Sequence, residues 1–152
     1  MRLRRVVTTG LRALARTAGV ALSAGLVLLA TLPRDLQDHP HWQKVAWLPF
    51  STPVRPFDLL GNVLLYVPLG FALQAAASRD RRLVAMLAGG VLSIALEATQ
   101  VWSHSRFPSA TDVVMNVVGV AAGAAWAFRR GPTVAAGARV LEASLPPPRG
   151  GS

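Results

Sequence analysis

The sequence predicts an all-α fold, a bundle of four transmembrane helices with both termini cytoplasmic. Three observations predict it. Hydrophobic residues make up 52% of the 152 positions and charged residues only 15%, where a soluble domain carries about a quarter charged. The apolar residues gather into four runs, each long enough to cross a bilayer. The basic residues flank those runs instead of forming one basic face. A formal net charge of +9 could suggest nucleic acid as a partner, but this placement argues against it and fits the positive-inside bias of a membrane protein. There is no cysteine, which excludes disulfides and thiolate chemistry.

Residues 1–12 form a basic N-terminus with Arg2, Arg4, Arg5 and Arg12. The first apolar run, Ala13 to Leu32, is twenty residues long; at about 1.5 Å per residue it covers about 30 Å, one bilayer core. Arg16 interrupts it and can snorkel toward headgroups. A cleaved signal peptide is the competing reading, but no clear A-x-A site precedes Pro33, and the Arg4-Arg5 pair matches a twin-arginine signal weakly.

Pro33 to Pro56 holds five prolines, Trp42 and Trp47, and the pair His39 and His41. It reads as a loop lying on the membrane surface, where indole rings sit well. His39, His41, His104 and Asp38 make only a weak metal pattern, so neither a metal nor a cofactor is expected.

Pro56 suits a first helical position and opens the second span, Phe57 to Ala77. Pro68 lies mid-run and is expected to kink the helix and free the Leu64 carbonyl. Ser78 to Arg82 is a basic turn. Leu83 to Trp102 is the third span and Thr111 to Phe128 the fourth, stopped by Arg129, Arg130 and Gly131-Pro132. The membrane domain thus covers residues 13–128. Residues 129–152 form a cytoplasmic tail rich in Ala, Gly and Pro, expected to be disordered, with room for a surface helix at Val134 to Leu145.

The alternation of spans puts twelve Lys/Arg on one side and four (Arg34, Lys44, Arg55, Arg106) on the other. The side with twelve is read as cytoplasmic, which implies a multi-pass membrane protein with both termini inside.

Polar side chains then fall at one end only. Asp58 and Asn62 lie in the first turns of the second span; Ser93, Glu97 and Gln100 in the last turns of the third; Asp112 and Asn116 in the first turns of the fourth. Asn62, Glu97 and Asn116 sit about five residues inside a boundary, roughly 7–8 Å deep. Spacings of three and four place each set on one face of its helix. Gly119 and Gly123 add a G-x-x-x-G pattern that lets another helix come close. The segment D-L-L-G-N-V-L from Asp58 echoes D-V-V-M-N-V-V from Asp112, so the two Asp/Asn pairs are expected to face each other at one level.

Polar groups in hydrocarbon are costly and point to function. Simpler roles exist for some. Ser109 and Asp112 form an S-x-x-D capping box, Asp58 complements a helix dipole, and Asn can bind helices together. Glu97 is harder to dismiss, because it lies near a helix C-terminus, where the dipole opposes a carboxylate; it needs Arg106 or a proton. Three carboxylates against one arginine suit hydrogen bonding to amide or sugar groups, a cation or a proton relay better than a bare phosphate. G-x-S-x-G, H-E-x-x-H and P-loop patterns are absent.

Several stretches together resemble the VanZ-like family of small bacterial membrane proteins: W-L-P-F at 47–50, D-L-L-G-N-V-L-L-Y-V-P-L-G-F at 58–71, E-x-x-Q at 97–100, and R-x-x-S-x-x-D-x-x-x-N-x-x-G-x-x-x-G at 106–123. The resemblance covers about Thr17 to Phe128. It places the family's polar positions on Asp58, Asn62, Glu97, Gln100, Arg106, Asp112 and Asn116. The family is named for a protein giving low-level resistance to the glycopeptide teicoplanin, and membership implies a role in envelope or membrane-lipid physiology.

The expected function is therefore an outward-facing polar pocket that binds or handles an outer-leaflet lipid or a lipid-linked cell-wall precursor, with Glu97 and Arg106 as its central pair. Two alternatives stay open: an intramembrane hydrolase or transferase using Glu97 or Asp112 as general acid or base, and a proton-coupled transporter. No nucleophile with a base beside it is visible, which leans against an enzyme. Oligomerisation is compatible with the sequence.

Overall fold

The computed structural model describes residues 2–77 and 81–130, with side chains from residue 9 onward. The expected surface helix at 134–145 and the disordered tail lie outside the described residues, as does most of the basic turn at 78–82. Four helices make up the bundle: α1 (Arg2–Thr31), α2 (Pro56–Ala76), α3 (Arg82–Thr99) and α4 (Ala110–Arg129). Short 3-10 turns occur at Trp42–Lys44 and Gln100–Trp102, the second tightening the end of α3. Each helix contains a stretch long and apolar enough to cross a membrane, the first over Thr9–Thr31. In that first span only 6% of the residues are buried inside the protein, so a protein core does not account for its hydropathy; acyl chains do.

The helix boundaries follow from local chemistry. α1 begins at Arg2, well before the first apolar run, because Arg, Leu and Val continue a helix and no proline interrupts them. Pro56 opens α2 at its first position, after an extended Arg55. Pro68 lies inside α2, which runs through it to Ala76. Ser109 is the N-cap of α4, its hydroxyl accepting the Thr111 N–H at 3.2 Å.

α2 and α4 are the intimate pair, with α1 packed on α2 and α3 packed mainly on α4. Glycines make the α2–α4 approach possible. Gly119 lies against the Val63 carbonyl, Gly123 against the Val67 carbonyl, and Gly70 against the Val120 backbone. A Cβ on Gly123 would stand 2.7 Å from the Phe71 nitrogen and nearer still to Val67. These contacts advance together along both helices, so α2 and α4 run parallel. Asn62 meets Asp112, 50 positions on, and Val63 meets Gly119, 56 positions on. The two offsets lie on either side of the 54 that separates the echoed segments. Val27, Tyr66, Leu69, Leu96 and Val120 form the small buried core.

One end of the bundle is closed by two loops stitched together. The loop from Pro33 to Pro56, expected to lie on the membrane surface, pairs with the 101–111 segment. Gln37 and His41 donate backbone N–H groups to Trp102 and Val101, both at 2.8 Å; Ala46 donates to Pro108 and accepts from Ala110. Phe50, in the W-L-P-F stretch, takes a left-handed φ of 58°, a conformation costing about 1–2 kcal/mol for an L residue. Its N–H donates to the Thr111 hydroxyl at 2.8 Å, which holds the turn onto the start of α4.

Candidate functional site

Beneath the stitched loops lies a cavity of about 720 Å³. Asp58 and Asn62 from α2, Glu97 and Gln100 from the end of α3, Arg106 from the following loop and Asp112 from α4 all line it. Asn116, a turn further down α4, is only 2% exposed and lies below the cavity, its Nδ2 donating to the Ser93 Oγ at 2.9 Å.

The geometry of Glu97 explains how a carboxylate sits at a helix C-terminus. Its side chain leaves α3 and accepts the backbone N–H of Ser109 at 2.9 Å. The Gln100 amide donates to its other oxygen at 3.4 Å. The carboxylate is thus spent at the start of α4, where the dipole favours it, and the adverse end of its own helix is bypassed. In a capping box the third helical residue accepts the N-cap N–H. Here Glu97, from a different helix, takes that place. Asp112, which the S-x-x-D pattern assigns to it, accepts from the Asn62 Nδ2 at 2.7 Å instead.

Arg106 shares the cavity with Glu97, yet its Nη1 donates to the Ala30 carbonyl at 3.0 Å. This ties the loop to the C-terminal end of α1, where a cation suits the exposed carbonyls. The Arg106 backbone N–H donates to the Ser103 Oγ at 3.0 Å. Arg55, noted in the sequence only as a loop charge, also lines the cavity.

Three residues in and around the site carried little sequence signal. Asp35 has none; it follows Pro33-Arg34 in a polar stretch. In the structure its carboxylate accepts the Ser103 hydroxyl at 2.8 Å and the Ser105 N–H at 2.7 Å, shaping the turn that presents Arg106. Thr111, fully buried, is hidden among the small residues that open α4. Tyr66 was findable, since it continues the Asp58–Asn62 stripe by one more turn. It is fully buried, and among the described residues its hydroxyl has no hydrogen-bond partner and Asn116 Oδ1 is likewise unpartnered.

Titratable groups in the loops couple this end to pH. Bonds from Ser105 and then Ser103 hold the Asp35 carboxyl down at about 2. Gln37 bridges His41 and His104. Desolvation pushes His41 below its ordinary 6.5, and Lys44, His39 and His104 add repulsion to its charged form. Both folded-state values lie below their unfolded ones, so both groups contribute stability at higher pH and lose it on acidification. The loop contact should weaken first as the pH falls below about 6.5 through His41. A second loss should follow between about 4 and 2 through Asp35. Fluorescence of Trp42 and Trp102, whose rings meet edge-on at 6.3 Å, reports both steps, and Asp35→Asn should abolish the second.

Among the described residues no three His, Asp or Glu side chains gather as a metal ligand set. Four membrane-length helices with a polar cavity at one end define a multi-pass membrane protein. The chain matches the VanZ/LLP1 family model over residues 10–130 and belongs to that family. No curated protein and no solved structure matches it.

Proposed function

We propose that the chain is a binding module for an amphiphile of the outer leaflet, a lipid or a lipid-linked cell-wall precursor, with the polar cavity as its headgroup site. One observation carries this reading. Glu97 and Ser109, which share a hydrogen bond, line the polar cavity on one side and an apolar groove of about 290 Å³ on the other. Trp42, Val45, Trp47, Ile94, Ala98 and Val101 are among the groove's lining. A polar chamber and an apolar one with a common wall match a molecule with a head and a tail. The excess of basic residues at the opposite ends of the helices argues that this end faces away from the cytoplasm.

Arg106 is the residue placed to meet a headgroup phosphate, since a guanidinium has five N–H donors and its hydrogen bond to Ala30 uses one of them. Arg106→Ala should strip bound lipid from the protein purified in mild detergent, measured as lipid per chain by mass spectrometry. Equal lipid content and identity in the variant and the parent would defeat the reading.

A further inference from the structure

The cavity carries both signs of charge. Arg55 and Arg106 line it together with three acids, Asp58, Glu97 and Asp112. Glu97 is occupied by Ser109 and Gln100, and Arg106 is drawn toward the end of α1 by Ala30. That leaves Asp58 and Asp112, which line the same cavity from α2 and α4. Asp58 stands one turn before Asn62 on the same helical face, and Asn62 donates to one oxygen of Asp112. An uncharged amide is the group binding that wall. Two carboxylates lining one cavity favour a cation with N–H groups between them. A phosphate alone would meet this wall unfavourably, and a purely hydroxylic headgroup would leave its charge uncompensated.

Resting on the amphiphile reading above, we propose that the ligand's headgroup pairs an anionic phosphate with a primary ammonium, the phosphate toward Arg55 and Arg106 and the ammonium between Asp58 and Asp112. The requirement is for N–H donors as well as positive charge, because each carboxylate accepts best from a hydrogen-bond donor. An ethanolamine phospholipid and an amine-bearing lipid-linked precursor both supply this chemistry.

The test uses the full-length chain in nanodiscs of three compositions, each lipid diluted into an inert zwitterion-free matrix. These are phosphatidylethanolamine, phosphatidylcholine with the same charge but no N–H, and phosphatidylglycerol with hydroxyls and no cation. Retained lipid is counted after detergent extraction. The ethanolamine lipid should be retained about tenfold over the choline lipid, the worth of one charge-assisted bond. Asp58→Asn should erase most of that preference by lowering retention of the ethanolamine lipid toward that of the choline lipid; Asp58 is exposed, so the variant should fold. Asp112→Asn serves as the second arm. A soluble phosphoethanolamine competitor displaces the lipid if the headgroup alone is recognised, whereas an amine-bearing precursor added as competitor at lower concentration identifies the second source. Equal retention of all three lipids, or preference for the glycerol lipid, overturns the ammonium site and leaves the amphiphile reading standing. Retention of none of them by the parent chain overturns both.

Discussion

Gly123→Ala should destabilise the protein by about 3 kcal/mol, in the upper part of the range for overpacking a close contact. The added methyl meets the Val67 carbonyl and the Phe71 nitrogen. Both are backbone atoms in the middle of a helix, and neither can move aside as a side-chain tip could. α2 and α4 must then separate, and the Asn62–Asp112 bond and the cavity wall go with them. The sign is diagnostic, because alanine is the better helix former by about 1 kcal/mol. Gly25→Ala is the control: nothing lies within 4 Å of its would-be Cβ, so stability should hold or rise slightly. Unfolding in mixed micelles of increasing denaturing detergent measures both.

Glu97→Ala should cost about 2 kcal/mol, the penalty for leaving a buried donor unmatched. The Ser109 N–H loses its acceptor and the Gln100 amide its partner. The damage should be local, with amide hydrogen exchange quickening at Ser109 and through the first turn of α4. Glu97→Gln keeps an acceptor oxygen of the same reach and should cost less than about 1 kcal/mol. It should also keep most of the bound lipid, as a holding role requires and a proton-transferring role does not. A Gln variant as stable as the parent but stripped of lipid would instead make the negative charge itself the ligand contact.

The helices were legible because lipid imposes one requirement, twenty or so apolar residues per span, that is written locally in the chain. Helix ends shifted by three residues at most, except that α1 begins at Arg2; a switch from apolar to basic composition marks a membrane boundary, not a helix end. The gathering of Asp58, Asn62, Glu97, Gln100, Arg106 and Asp112 around one cavity follows from spacing plus alternating direction of the spans. Partner choice was not legible. Glu97 bonding Ser109 and Arg106 bonding Ala30 depend on how far each side chain reaches across helices, which no spacing encodes. The docking of residues 33–55 was hidden for a similar reason. Its bonds are largely backbone to backbone, and backbone groups leave no mark on residue identity.

The central claim is that side chains from three spans enclose a polar chamber open to water on the face opposite the basic ends. Because the chain has no cysteine, single thiols report this cleanly. Asn62→Cys lies within the second span on the cavity wall, while Leu64→Cys, two residues on, replaces a side chain 58% exposed on the bundle's outside. A thiol needs water to ionise and react. In intact cells a membrane-impermeant maleimide should label Asn62→Cys and spare Leu64→Cys. Labelling of Asn62→Cys only after the cells are opened, or equal labelling at both positions, would contradict the account.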